Sequence, residues 1–229
     1  MAVEAENVKP YDSTRPKAEQ VEEMFDSIAP AYDFMNRAMT LGIDKAWRAK
    51  AVRMLAHERP TRILDIATGT GDLAIKLACD FPNAEIEGVD LSAGMVEIGR
   101  RKVAAAGLND RIRLSVADCL ALPMADNTYD AITVAYGVRN FEHLDRGYRE
   151  MARVLRPGGT LCVIELSVPV NPIVKPFYKL YTRGVIPLVG RVVSKDSRAY
   201  AYLPESIAAV PQGQEMLQLM SGAGFADCR

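Results

Sequence analysis

Short apolar runs alternate along the middle of the chain with longer segments whose apolar positions recur at helical spacing. The runs lie near residues 62–67, 85–90, 111–116, 130–136 and 159–166, and the helical segments lie near 72–80, 93–106 and 142–155. Strands and helices in this alternation predict a parallel sheet with helices on both faces. Ligands of such sheets bind at the carboxyl ends of the strands, so chemistry is expected there.

The segments on either side of this core are also predicted to be largely helical. Apolar residues recur at helical spacing over 17–56 and are interrupted at Ala29–Pro30, which predicts a cap of two or three helices. Residues 1–15 are polar and are expected to form a mobile arm. Residues 168–203 are rich in Pro, Tyr, Lys and Arg, and we interpret them as a helical insertion over the mouth of the ligand site, ahead of a helix near 211–223.

Composition limits the function classes. The 229 residues are 49% hydrophobic and 25% charged, which suits one α/β domain over 1–229. The net charge of −1, with no strongly basic segment, disfavours a nucleic-acid partner. Four dispersed cysteines and two histidines predict no metal site and no disulfide framework, as expected in the cytoplasm. The longest apolar stretch, 185–193, is too short to span a bilayer.

A glycine-rich turn follows the first predicted strand. Residues 63–72 read Ile-Leu-Asp-Ile-Ala-Thr-Gly-Thr-Gly-Asp, and Gly88-Val89-Asp90 ends the second strand. The glycines allow a ligand to approach the backbone, and the next helix offers free N–H groups. Because the Asp90 carboxylate can accept hydrogen bonds from both hydroxyls of a ribose, the pattern predicts an adenosine-containing cofactor.

The identity of that cofactor depends on charge. Gly69-Thr70-Gly71-Asp72-Leu73-Ala74 fits the dinucleotide fingerprint, so NAD is an alternative. Asp65 and Asp72 would repel a pyrophosphate but attract a sulfonium and an α-amino group. These charges favour S-adenosylmethionine (SAM).

Asp65-x-x-x-Gly69-x-Gly71 also resembles the first motif of class I SAM-dependent methyltransferases. Val116–Cys119, Asp130–Ala135 and Leu155–Gly159 follow in the order of that fold. The resemblance implies a Rossmann-like class I methyltransferase fold with a mostly parallel, seven-stranded sheet.

The same resemblance implies roles for the cofactor-binding residues. The methionine part is assigned to Gly69, Thr70 and Gly71, the ribose to Asp90, the adenine to Asp118 with Cys119, and the amino group to the carbonyl of Ala135. Asp65 either contacts the ligand or orders the turn. Two alternatives stay open: Asp90 as a helix cap, in competition with Ser92, and Asp118 as the cap of the next turn.

Three further stretches are more specific. They are Tyr32-Asp33-Phe34-Met35-Asn36 running on to Trp47, Tyr136-Gly137-Val138-Arg139-Asn140, and 153–159 continuing to Glu165-Leu166-Ser167. Together they resemble the ubiquinone/menaquinone biosynthesis C-methyltransferase family from about Val21 to Phe225, which implies methylation of a ring carbon of a polyprenylated hydroquinone.

The chain departs from this family's pattern in two places. Asp44 stands where family members usually carry a histidine. The family also continues beyond the equivalent of Arg229 into a closing strand, so we expect the final strands to be incomplete.

Methylation of a phenol-activated carbon needs a group that removes or polarises the phenolic proton. The candidates are Arg139 and Asn140, which leave the fourth strand, and Tyr32 and Asp33 from the N-terminal helices. Asp33 is the first candidate for the base, with an ordinary exposed carboxylate as the alternative. Arg139 could stabilise a phenolate or polarise a water, and the alternative is a surface ion pair with Asp145 or Glu142.

The remaining expectations concern the substrate. Loose similarity of 191–211 to menaquinone-route members favours demethylmenaquinol over the ubiquinone-pathway precursor, with another small molecule as a further alternative. A helix starting near Pro172 would place Ile173, Val174, Phe177, Tyr178, Leu180 and Tyr181 on one arc. That arc either packs on the core or forms a channel for the prenyl tail, with peripheral membrane contact through 172–193. A homodimer is compatible with the sequence.

Overall fold

The computed structural model describes residues 3–40, 42–185 and 197–229. The strands are β1 (Arg62–Ile66), β2 (Glu85–Asp90), β3 (Ile112–Val116), β4 (Tyr129–Ala135) and β5 (Leu155–Ile164). The helices are α1 (Glu4–Asn7), α2 (Lys17–Thr40), α3 (Ile43–Leu55), α4 (Asp72–Asp80), α5 (Ala93–Ala105), α6 (Leu144–Val154), α7 (Val174–Leu180), α8 (Ser197–Ala209) and α9 (Gln214–Gly222). Short 3₁₀ turns span Ala56–Glu58 and Val138–Asn140, and a π-helical turn spans Tyr181–Val185.

The five strands form one parallel sheet in the order β3-β2-β1-β4-β5. The chain builds outward from β1 to β3 and then returns to place β4 on the other side of β1. Ligands of open α/β sheets bind at this reversal, between the carboxyl ends of β1 and β4. The Rossmann-like prediction is confirmed. Where seven strands were expected, the described residues contain five, and after β5 the described ranges 165–185 and 197–229 hold helices only.

Apolar side chains on the two faces of the sheet form two cores. Ile63 packs with residues of α3, α4 and α5, whereas Leu64 and Ile66 pack on the opposite face with residues of α6 and α9. This alternation is why β1 reads as an almost continuous apolar run.

Helix α2 forms a third apolar cluster, and it corrects the predicted break at Ala29–Pro30. The helix continues through Pro30. Met24 and Ile28 before the proline and Met35 after it are buried in the same cluster. The buried contacts before and after Pro30 therefore keep α2 continuous, although proline lacks the backbone N–H for the helical hydrogen bond.

The described part of the N-terminal segment, residues 3–15, also differs from the expected mobile arm. Ala5 is buried in a core cluster, and the Glu6 carboxylate accepts a hydrogen bond from the backbone N–H of Leu144 at 2.8 Å. Lys17 Nζ donates to the carbonyls of Ala5 at 2.6 Å and Arg139 at 2.8 Å. Hydrogen bonds between polar side chains and backbone groups far away along the chain anchor this segment. Because such bonds produce no periodic pattern of hydrophobic residues, the sequence did not reveal them.

The predicted insertion is helical where the structure describes it, with α7 and the start of α8 inside 168–203. Residues 186–196, which contain part of the proposed membrane segment, lie outside the described residues. Within the described ranges, no helix combines the length and apolar character that crossing a bilayer requires.

Candidate active site

The loops that follow β1 and β4 meet at the reversal of the sheet. Ala67 and Tyr136 have the positive φ angles of 52° and 60°, which are rare for residues with a side chain. A Cβ atom on Gly137 would lie 2.5 Å from the Cβ of Ala67, so only glycine allows the two loops to pack this closely.

A cavity of about 80 Å³ lies beside these loops. Helix α2 lines one side of it. The Asp26 carboxylate holds this helix against the start of α5 by accepting hydrogen bonds from Ser92 Oγ at 2.5 Å and from the backbone N–H of Gly94 at 2.9 Å. Pockets for small molecules usually measure about 300–1,000 Å³. The cavity without a ligand is therefore smaller than a typical small-molecule pocket.

Asp90 lines this cavity at the end of β2. Its two carboxylate oxygens accept one backbone N–H each, from Gly69 at 2.8 Å and from Ser92 at 3.0 Å. Each oxygen keeps a free lone pair for a ribose hydroxyl. Burial raises the pKa of Asp90 above its ordinary value. Ser92 caps α5, since its side chain accepts a hydrogen bond from the backbone N–H of Met95 at 3.1 Å. Ser92, and not Asp90, is therefore the N-cap of this helix.

Four other residues assigned to the cofactor also line the cavity: Gly69, Asp118, Cys119 and Ala135. Asp118 additionally accepts a hydrogen bond from the Leu120 N–H at 2.8 Å, so it caps the next turn while lining the cavity. An acidic group at the end of β2 and largely apolar walls fit an adenosine-containing cofactor such as SAM.

Asp65, Thr70 and Gly71 do not line this cavity, and their assignment as ligand contacts stays a prediction. Asp65 is buried and accepts hydrogen bonds from the hydroxyls of Thr68 and Thr133, each at 2.6 Å. Burial raises its pKa to about 6, against the opposing effect of these two hydrogen bonds. The carboxylate thus ties the glycine turn to β4, the structural alternative named for Asp65.

Asp33 and Asp72 belong to an ionic network behind the glycine turn. Lys102 Nζ pairs with Asp33 at 2.7 Å and also with Asp72, while the Thr70 hydroxyl donates to Asp33 at 2.5 Å. Arg48 approaches Asp72 at 3.5 Å. Asp33 lines neither the cavity nor the groove described next, so the geometry does not support it as the base. The charge of Asp72 is likewise neutralised and cannot select the cofactor.

A groove of about 2470 Å³ adjoins the cavity. Its aromatic lining residues include Tyr32, Trp47, Tyr136, Tyr178, Tyr181 and Tyr202. Phe25, Tyr32, Tyr136 and Asn140 line both the groove and the cavity. A substrate in the groove would therefore meet a cofactor in the cavity at these four residues.

Arg139 lies in the groove wall and forms a buried ion pair with Glu165. Its Nη1 donates to Glu165 Oε1 at 2.7 Å, and the two side chains are 7% and 9% exposed. The alternative of a surface ion pair with Asp145 or Glu142 is wrong: Asp145 pairs with Arg149, and Glu142 accepts a hydrogen bond from the backbone N–H of Lys17. The neighbouring Asn140 accepts a hydrogen bond from the Tyr202 hydroxyl at 3.1 Å.

Sequence reasoning missed several residues of the site. Tyr136, Glu165 and Trp47 lie inside the three quoted stretches, but no local pattern shows that they line the groove. Asp26 and Lys102 carried no signal, because their partners lie far away along the chain.

The fold and the site define a Rossmann-like α/β protein with a cavity for an adenosine-containing cofactor. A solved SAM-dependent methyltransferase from Thermotoga maritima shares the fold with a TM-score of 0.62 at 21% identity, over 90% of this chain and 81% of that one.

The family follows from the sequence matches. The profile described as the ubiE/COQ5 methyltransferase family matches residues 13–229, and the chain belongs to this family. A demethylmenaquinone methyltransferase of Bacteroides fragilis is 48% identical over 96% of this chain and 90% of that protein. A ubiquinone/menaquinone biosynthesis C-methyltransferase of Geotalea daltonii is 44% identical over 91% of this chain and 89% of that protein. SAM is therefore the cofactor, and family membership rather than the charge of Asp65 or Asp72 excludes NAD.

Proposed function

We propose that the protein methylates a ring carbon of a polyprenylated hydroquinone and converts demethylmenaquinol to menaquinol. The observation that carries the proposal is the junction formed by Phe25, Tyr32, Tyr136 and Asn140, the four residues that line both the cofactor cavity and the aromatic groove. A groove lined by tyrosines and a tryptophan suits a flat, partly polar ring. The name of the Bacteroides fragilis relative supports the identity of that ring.

The residues around the junction suit this chemistry. When bound, SAM supplies a methyl group activated by a positively charged sulfur. A phenolic oxygen has an ordinary pKa of about 10, and the ring carbon beside it becomes more nucleophilic as that proton leaves. The Arg139 guanidinium stays charged and can stabilise the developing phenolate. Helix α2 lines the cavity and shields one side of it from water.

The test is transfer of labelled methyl from SAM to quinols that differ in their ring. We expect label in menaquinol from demethylmenaquinol, and less from the ubiquinone precursor because the more similar named relative acts in the menaquinone route. Preferred labelling of the ubiquinone precursor would favour the alternative pathway. Labelling of neither quinol, with SAM bound, would contradict the proposal.

We further propose that α7 and the residues before it rest on the membrane that holds the substrate. Ile173, Phe177 and Leu180 are 74%, 69% and 69% exposed, and Val170 and Val174 are exposed beside them. Such a cluster is unusual for a surface that only meets water. Tyr178 and Tyr181 of the same predicted arc line the groove instead, so this surface adjoins the substrate space.

Sedimentation with anionic lipid vesicles tests the membrane contact. Phe177→Asp with Leu180→Asp should release the protein from vesicles and leave SAM binding unchanged. Val116→Asp is the matched control, since Val116 is also exposed but ends β3 at the opposite edge of the sheet. Equal sedimentation of the double variant and the control would contradict the contact.

A further inference from the structure

Tyr136 combines backbone strain with a position between the two spaces of the site. It directly follows β4, and its φ of 60° lies in the left-handed region. Such a conformation is unfavourable for a residue with a side chain and persists where the surrounding structure enforces it, often at functional sites. The close packing of Gly137 on Ala67 supplies that enforcement. As a result Tyr136 lines both the cavity and the groove.

The hydroxyl of Tyr136 is buried and has no hydrogen-bond partner in the part of the chain that the structure describes. Arg139 Nε and the Tyr178 hydroxyl are the other buried side-chain atoms without a partner in the described ranges. All three residues line the same groove. A buried polar atom left without a partner is costly, and a polar ligand bound in the groove would supply such a partner.

The surroundings of Tyr136 keep its hydroxyl a donor. Burial raises the pKa of Tyr136 to about 12, although the nearby Arg48 guanidinium opposes this shift. Arg48 lies over the ring at 5.9 Å from its centroid, and Trp47 packs edge-on with ring centroids 6.5 Å apart. These contacts hold the ring in place, so the position of the hydroxyl is set before a substrate arrives.

We propose that Tyr136 forms the subsite for a hydroxyl of the aromatic substrate, by donating a hydrogen bond to the ring oxygen beside the carbon that is methylated. This inference rests on the proposed function and extends it. Tyr136 orients the ring at the junction and selects rings that carry an oxygen at that position. Arg139 lies close enough to share the subsite, since its Nη1 donates to the Tyr136 carbonyl.

The variant that tests the subsite is Tyr136→Phe, which removes only the hydroxyl. Loss of one hydrogen bond to a substrate oxygen should weaken ring binding by roughly 10-fold or more and lower kcat/KM similarly, with SAM affinity unchanged. Thermal stability should stay the same or rise, because the lost hydroxyl had no partner in the free protein. A merely structural tyrosine would instead lose stability when changed to phenylalanine.

The matched control is Tyr129→Phe, the same substitution at the other end of β4. The Tyr129 hydroxyl donates to Glu87, and Tyr129 lines neither the cavity nor the groove. This variant should lose some thermal stability and keep the ring affinity of the wild type.

Ring binding can be measured without turnover, which separates this inference from the proposed function. Trp47 is the only tryptophan of the chain and lines the groove beside Tyr136, so its fluorescence reports binding of demethylmenaquinol in the presence of S-adenosylhomocysteine. If Tyr136→Phe binds the ring with normal affinity and the wild-type protein methylates demethylmenaquinol, the subsite is overturned and the proposed function stands. If Tyr136→Phe binds the ring more weakly than the wild type, but the wild type does not methylate it, the subsite is supported and the proposed function is overturned. No binding to the wild type would overturn both.

Discussion

Replacing Glu165 by glutamine should destabilise the protein strongly without changing the shape of the groove. The substitution removes one charge from the buried pair in which Arg139 Nη1 lies 2.7 Å from Glu165 Oε1. Glutamine has nearly the same size and can still accept that hydrogen bond. The experiment therefore measures the charge rather than the packing.

The magnitude follows from distance and burial. At an effective dielectric constant of about 20, two unit charges at this distance attract by about 6 kcal/mol, which is an upper bound. Removing one partner of a buried pair costs about 3–5 kcal/mol. Because glutamine keeps a hydrogen-bond acceptor, we expect Glu165→Gln to lower the free energy of unfolding by about 3 kcal/mol, the lower end of this range. This is a large share of the 5–15 kcal/mol that stabilises a typical domain.

Urea unfolding of Glu165→Gln, Arg139→Gln and the double variant measures this coupling. The double variant should lower the free energy of unfolding by less than the sum of the two single variants, because it leaves no unpaired buried charge. Turnover of Glu165→Gln should fall while SAM affinity stays normal, since Arg139 loses the partner that orients it. Free energies of unfolding for Glu165→Gln within about 0.5 kcal/mol of the wild type would refute the buried pair.

Three further predictions concern single residues. Asp90→Asn should weaken SAM binding by roughly 10-fold or more in calorimetry, because it removes the charge that strengthens bonds to the ribose hydroxyls; unchanged affinity would refute the ribose assignment. Arg139→Ala should leave SAM binding near normal and lower turnover by roughly 10²-fold, and a parallel loss of both would make Arg139 structural. Asp65 has a folded-state pKa of about 6, above its ordinary 3.8, so the wild-type free energy of unfolding should fall by about 3 kcal/mol as pH rises through this interval. Asp65→Asn should lack this fall when urea unfolding is followed from pH 4 to 7, and an identical slope would show that other groups cause it.

The sequence alone determined the elements of the sheet and the place of the cofactor. Strands β1 to β5 and helices α4 to α6 lie within a few residues of their predicted positions. These elements depend on local periodicity and on turn residues such as Gly69, which act over a few positions of the chain. Asp90 could be located for the same reason, since the end of a strand beside a glycine turn is a local feature.

Only the tertiary structure decided which charged side chains face the site. Asp33 looked like a candidate base, yet Lys102, 69 positions away, neutralises it behind the glycine turn. Arg139 was a candidate catalytic residue with a surface ion pair to nearby acidic residues as the alternative, yet its ionic partner is the buried Glu165, which lies beyond α6 and β5. The helix through Pro30 and the packed N-terminal segment also depend on distant partners. Local patterns describe how the backbone folds, whereas the partner of a charge depends on which elements the complete fold brings together.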